Sequence, residues 1–540
     1  MNRTIAISTL SPIHIGCDEV FDPSNFVIHD SLLHALDPFE LACNLSEDER
    51  KQLGLLADGR QPIGALQRFF RDNAARFATL AHHQVAVVDA IVNEYKKSLG
   101  KPTQLSAAGE ATYNLFPIAR TAYRPFDSTP YLPGSSIKGS IRTAWLNRCN
   151  AGKPLTPDER RDHKGAPRHL QERLLGYQSG KFENDPFRHV AIADAHPEDD
   201  TASPPTRVIY AISKKKRQPR DGESHPPELK VFLETIPEAL PSAFLSEIRL
   251  AGKISWNALC DACNTFYAPQ LKAELTHPVL GALLETKWKQ LVGEILDNEI
   301  CILIAARQGF LLRVGRHSGA ESVTLDGLRN IKILGPKVNG KPTFDYRHNT
   351  TEKRFASETK AGDEKLLPFG WVWVDASNDE YRYYSDTLRQ KLAKRSVALR
   401  DAHRDRCLRL EEVQHKRTIA NAEAAQRKQA LEIAAREAEE ARLAHQAALA
   451  LLSPRLQAIE NFIAIGEDRA VSLMANKERL NGDYHNRARK LAADALTGTD
   501  WTADEKLALA NAITEWLPKI VEKIDKGQLK NLKLSALRGS

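Results

Sequence analysis

From Tyr381 to Leu452 the chain carries neither glycine nor proline, and alanine, glutamate, arginine, lysine, glutamine and leucine dominate it. These residues lose little on entering a helix, so the segment predicts a long helix or a helical hairpin, which Pro454 ends. A coiled coil needs apolar residues sustained at heptad positions a and d. This run offers only a weak stripe of small residues, Ala422, Ala425, Ala434, Ala438 and Ala441, so a solvated helix is expected and a regular zipper is not. Beyond it, Leu509, Ile513, Trp516, Ile520 and Ile524 recur at helical spacing and predict a smaller helical end.

The first 375 residues have a different grain. Residues Thr4 to Ile15 alternate apolar and polar side chains and read as an opening strand running to a turn at Ser11-Pro12. Phe26-Val27-Ile28 makes a short strand, and helical patterns run from Pro38 to Lys97. Within them Val85, Val87, Val88, Ile91 and Val92 place a helix face over 83–95. Asp158 to Tyr177 is a charged insertion. Strands are expected at Val190–Asp194, Arg207–Ile212, Val231–Thr235, Phe244–Leu250 and Phe369–Val374, with helices between Ile254 and Arg307. Strands and helices in mixed order give an α+β class, and 540 residues exceed what one core usually serves.

Composition excludes more than it selects. A net charge of +7 permits a polyanionic partner without requiring one. No apolar stretch reaches the roughly 18–20 residues that span a bilayer, and no secretory signal is read at Met1–Leu10, so no membrane partner and a cytoplasmic location are expected. Seven scattered cysteines do not make a disulfide framework. Cys260-Asp261-Ala262-Cys263 lacks the second ligand pair of a zinc site, so two helix cysteines are expected there, with no metal and no cofactor. His14, alone after a strand, reads as structural, and no nucleophile–base constellation can be assembled around it, so no catalytic residue is assigned.

Two segments carry the chemistry. In Pro133-Gly134-Ser135-Ser136-Ile137-Lys138-Gly139-Ser140-Ile141-Arg142 a tight turn opens a helix from Ile137 to about Arg148. Ser135 or Ser136 would cap it, unpaired N–H groups would point outward, and Lys138 and Arg142, one turn apart, would share a face. That is an anion site suited to phosphate, and it lacks the residue order of a P-loop. In the second segment, Gly309, Gly315 and Gly319 allow close backbone approach to a ligand, with Arg313, Arg316 and His317 beside it. Such a loop can follow a sugar-phosphate backbone without reading bases. A basic loop from Lys214 to Pro227, with Lys214, Lys215, Lys216, Arg217 and Arg220, adds charge that could touch the same ligand, although most such runs are merely solvated.

The helix-opening run resembles that of the RAMP superfamily, the repeat-associated proteins of CRISPR effector complexes. Leu10-Ser11-Pro12-Ile13-His14-Ile15-Gly16 resembles the end of its first strand, Leu312 to Thr324 its glycine-rich loop and Phe369-Gly370-Trp371 its closing strand. The form Leu312-Arg313-Val314-Gly315-Arg316-His317-Ser318-Gly319-Ala320-Glu321-Ser322 is similar to the Csm-type (type III-A) members that cap the 3′ end of the crRNA filament. The resemblance implies tandem ferredoxin-like, RRM-like units with helical insertions. They would comprise a first unit over 1–250, a second region over 251–375, a long helical segment over 376–454 and a helical end over 455–540. It further implies a non-catalytic backbone subunit contacting crRNA through Ser135, Ser136, Lys138, Arg142, Arg313, Arg316 and His317. Its partners would be the neighbouring backbone and small subunits, with target RNA met indirectly. Asp18 and Asp22 do not match the aspartate of target-cleaving members. Two alternatives stay open: an endoribonuclease using His14, and a scaffold whose long helix recruits a protein.

Overall fold

The computed structural model describes residues 2–58, 62–105, 111–161, 166–198, 203–218, 231–338, 340–376, 386–472 and 477–539. The chain forms two compact units, Met1–Lys416 and Arg417–Ser540.

The first unit is built on two sheets. One is antiparallel, ordered Gly309–Arg313, Trp371–Ala376, Asn2–Thr9, Phe244–Leu250, Val190–Ile192. Ile7 of the opening strand lies between Phe244 and Val374. The opening strand is buried continuously from Ile5 to Thr9 and the closing strand throughout, so both faces of the sheet centre are covered. Helix Gly134–Asn150 comes between the first strand and Val190–Ile192, and helix Trp256–Thr276 comes between Phe244–Leu250 and Gly309–Arg313. This strand–helix–strand–strand–helix–strand succession is ferredoxin-like. Asn264, on the second helix, donates to Gly309 O at 3.0 Å and accepts from Leu311 N at 3.0 Å, which satisfies part of the exposed edge of the outermost strand.

The second sheet has nine strands, ordered Gly16–Phe21, Ile118–Thr121, Val231–Thr235, Arg207–Lys215, His83–Val87, Leu32–Ala35, Phe26–His29, with Glu352–Ser357 and Leu367–Pro368 attached through Arg207–Lys215. Each sheet draws strands from both sides of residue 250, so the α+β class holds while the two layers interleave along the chain.

The helix expected over 83–95 is corrected. His83–Val87 is a strand between Leu32–Ala35 and Arg207–Lys215, and the helix begins at Asp89. Val85, Val88 and Val92 fit a helical face while Val85 and Val87, β-branched and two apart, fit a strand face, and tertiary pairing decides between them.

In the second unit, helices Pro454–Ser472, Asp483–Thr497 and Ala503–Ile520 enclose Phe462, Tyr484, Leu509, Ile513, Leu517 and Ile520, with Trp516 and Ile524 packed at the margin. The glycine-free run is one helix of 65 residues, Asp386–Ala450, and not a hairpin. Every side chain from 421 to 448 is exposed, the alanine stripe included. Glu423–Arg427, Lys428–Glu432 and Arg436–Glu440 pair one turn apart, each adding about 0.3–0.5 kcal/mol to a helix with no apolar face to bury. Among the described residues no helix is long and apolar enough to cross a membrane.

Candidate functional site

The end of the opening strand, the helix opening at 133, the glycine-rich loop and the closing strand meet at one place. Leu10 N and Ser11 N donate to Trp371 O at 2.9 and 3.2 Å, and Gly370 N donates to Pro12 O at 2.8 Å. Val314 N donates to Gly370 O at 2.8 Å, and Arg316 N to His14 O at 2.7 Å. Ser140 Oγ of the helix donates to Arg313 O at 2.8 Å, and Tyr267 OH donates to Ser140 O at 3.0 Å, with Ser322 O a longer alternative acceptor at 3.4 Å. Two glycines make this crossing sterically feasible. Gly315 has φ 78° and a Cβ there would lie 2.5 Å from His14 O; Gly370 has φ 89° and its Cβ would lie 2.3 Å from Val314 O.

The helix opens earlier than expected. It begins at Gly134, so Ser135 and Ser136 fall inside the first turn and no side chain caps it. Gly134 N instead donates to Asp194 Oδ1 at 2.7 Å, while Ser136 N and Ile137 N reach Pro133 O. Of the opening turn only the Ser135 N–H finds no acceptor among the described residues, so most of the expected anion cradle is already filled, partly by a carboxylate.

The cations divide into two kinds. Arg142 pairs with Asp185 (Nη1–Oδ2 3.1 Å), donates to Gln171 Oε1 at 3.1 Å and lies over the Phe187 ring. Arg313 is more deeply committed: its side chain is 1 % exposed, its Nε donates to Phe369 O at 2.9 Å, and its guanidinium pairs with Glu274 over the Trp371 ring. Burial lowers the Arg313 pKa to about 9, still above neutrality, so that pair is ionic. The Glu274 carboxylate also takes Lys353 and Trp371 Nε1 (2.9 Å). Of the two cations expected to face a ligand, Arg313 is buried inside the protein, and Arg142, partly exposed, is engaged by Asp185 and Gln171. Lys138 and Arg316 behave differently. Lys138 is half-buried and Arg316 is exposed, and neither has a carboxylate partner among the described residues. The aliphatic stem and Nη1 of Arg316 lie over Gly16, where a Cβ would be 3.5 Å from Nη1.

His317 is also not the cation its sequence context suggested. It stacks on His14 (6.5 Å between rings, 20° between planes) and leans on Phe369, in the left-handed region at φ 67°. Burial, then the nearby Arg354, His14 and Arg316, lower its pKa to about 4, so it is neutral at physiological pH. His14 is 0 % exposed. Its Nδ1 lies 2.8 Å from Glu234 O, a carbonyl, so Nδ1 carries the proton and Nε2 is left buried, without a hydrogen-bond partner among the described residues. Burial lowers its pKa as well, against the opposing pull of Glu234. A buried, pinned imidazole suits a structural role.

The basic run is only partly a loop. Lys214 and Lys215 close the strand Arg207–Lys215. Lys214 donates to Ala361 O at 2.9 Å and Asp363 Oδ1 at 3.4 Å, and Arg217 donates to Gln218 O at 3.1 Å. Lys216 reaches Glu321 Oε1 at 2.5 Å, and so ties the glycine-rich loop to the second sheet. Burial pushes the Glu321 pKa up, but Lys216 and the Thr350 N–H and hydroxyl outweigh it and bring it down to about 2. Arg220, in the same tract, lies outside the described residues. Cys260 and Cys263 are buried in the second helix, and burial raises both thiol pKa values, which opposes metal binding.

Sequence reasoning missed Arg354, half-buried on Glu352–Ser357 and close enough to His317 to lower its pKa. No motif marks it; it comes to the site from another sheet. It also missed Glu274, Asp185 and Glu321, the carboxylates that engage cations, and Asp194, which takes the Gly134 N–H.

The RAMP superfamily matches residues 6–371 of this chain. No curated protein matches it. A chain of a Csm–crRNA–target RNA ternary complex from a type III-A CRISPR-Cas system is similar in structure, with TM-score 0.42, 15 % identity and coverage of 70 % of this chain and 100 % of that one. Csm5 of T. onnurineus gives TM-score 0.35, 16 % identity and coverage of 68 % and 99 %.

Proposed function

Because the chain belongs to the RAMP superfamily, we propose that it is a non-catalytic, crRNA-binding backbone subunit of a type III CRISPR-Cas effector complex, capping the 3′ end of the guide. Its partners are then the crRNA and the neighbouring backbone and small subunits, and it meets target RNA only through the guide.

The observation that carries the RNA contact is Arg316. It is an exposed guanidinium without a carboxylate partner among the described residues, set on a glycine-rich loop that is bonded to the strand and helix around it. Lys138 and the Ser135 N–H, on the adjoining helix start, supply a second cation and a donor. These groups suit a phosphate backbone and offer little with which to read bases. His14 is 0 % exposed, which favours binding over RNA cleavage.

The test is single-stranded RNA binding by the full chain across a salt series. The double variant Lys138→Glu, Arg316→Glu is expected to bind more weakly, with a salt slope shallower by about 0.7 for each phosphate it no longer neutralises. A folded double variant with the wild-type slope would remove the RNA reading. In the assembled complex, omitting this subunit is expected to expose the 3′ end of the guide to exonuclease; unchanged protection would remove the capping role.

A further inference from the structure

The turn that precedes the helix opening presents an aromatic side chain for which the interior has no use. It leaves the second sheet just after Ala122, whose N–H donates to Ile15 O at 2.7 Å, one residue from Gly16, on which Arg316 rests. It returns at Tyr131, whose N–H donates to Ala122 O at 3.1 Å. Tyr123 and Pro130 pair across its neck. Arg124 N donates to Thr129 O and Ser128 N to Arg124 O, both at 2.8 Å, and Thr129 N donates to Asp127 Oδ1 at 3.0 Å. Pro125 fixes one backbone angle immediately before the tip. The turn is therefore closed and stiff, and Phe126 at its tip is 79 % exposed.

One face of that ring is taken. The Arg124 guanidinium lies 4.8 Å from the ring centroid, held there by its pair with Asp127. With so much of the residue exposed, the opposite face is open. A rigid ring backed by a cation is a platform for another flat π-system, and its turn springs from Ala122, bonded to Ile15 next to Gly16, on the rim that carries the phosphate contact. Phe39, 74 % exposed, has no cation over its ring among the described residues and starts a short helix on another edge of the unit, so exposure alone does not single out Phe126.

We propose that Phe126 stacks an unpaired nucleobase of the RNA whose backbone Arg316 holds, forming a base–Phe126–Arg124 sandwich. Stacking of this kind is tolerant of sequence, because every base offers a π-face. It gives the site a non-electrostatic hold on RNA and fixes the position of one nucleotide relative to the glycine-rich loop. The proposal rests on the RNA-binding reading above.

The experiment uses the full chain and single-stranded oligouridylates with 5-iodouridine at successive positions, which crosslink on irradiation to a stacked aromatic ring. A crosslink mapping to Phe126 is expected at one or two adjacent positions. Phe126→Leu is expected to lose it and to bind ~10-fold more weakly with an unchanged salt slope. Phe126→Trp should keep affinity, and Phe39→Leu should bind as wild type. Crosslinks elsewhere with full affinity in Phe126→Leu would overturn the stacking site, leaving the Arg316 contact to stand on its own salt slope. That result would suit a protein partner on Phe126. Equal losses in Phe126→Leu and Phe39→Leu would overturn it too, as general surface hydrophobicity.

Discussion

Arg313 and Arg316 stand three residues apart on one glycine-rich segment, yet they do opposite work. Arg313 ends a strand of the central sheet, so its side chain points into the layer between sheet and helix, where Glu274 meets it. Arg316 follows Gly315, whose positive φ turns the chain outward over Gly16. The helix opening repeats the contrast. Arg142 faces Asp185 and Gln171, and Lys138, one turn earlier, has no acid to meet among the described residues. A basic residue beside a glycine turn is thus a ligand or a strut according to where a distant carboxylate lies.

That contrast can be broken most sharply at Arg313. Arg313→Ala removes the charged donor to Phe369 O, one of the two cations on Glu274 and the contact with the Trp371 ring, and a loss of about 2–3 kcal/mol is expected in urea unfolding. A stable variant would mean that Arg313 is no strut. Arg142→Ala removes a partly exposed pair and a ring contact, so a smaller loss, about 1–2 kcal/mol, is expected, with RNA affinity kept once folded. Weaker RNA binding at full stability would return Arg142 to the ligands. The smallest effect concerns His317. Its folded pKa, about 4, lies below the ordinary 6.5, so the stability it lends is complete above 6.5 and is lost as pH falls towards 4. The wild type should therefore lose more stability between pH 7 and 5 than His317→Asn, which tolerates the left-handed backbone but does not titrate. Parallel pH profiles would show that the histidine stack is not under strain from protonation.

Much of the architecture was legible. The strands at Phe26, Val231, Phe244 and Trp371 carry dense apolar patterns bounded by turn residues, and those patterns hold in the fold. Leu509, Ile513 and Ile520 keep helical spacing and form the core of the second unit. The pattern failed where it was short. At His83–Val87 five residues cannot separate a period of 2 from one of 3.6. At the helix start the expected serine cap is replaced by Asp194, sixty positions from the Gly134 N–H that it accepts.

The sequence by itself determined that the segment after 386 is helical, because intrinsic propensity and one-turn ion pairs are local. It also marked Gly315 as a point of close approach, but to a ligand; that the neighbours of Gly315 and Gly370 are the protein's own carbonyls, His14 O and Val314 O, was decided by the tertiary structure. Which charges remain for a ligand was decided by tertiary structure alone. A cation's availability depends on acids brought to it through space — Glu274, Asp185 and Glu321 — and nothing in the local sequence around Arg313, Arg142 or Lys216 records their approach.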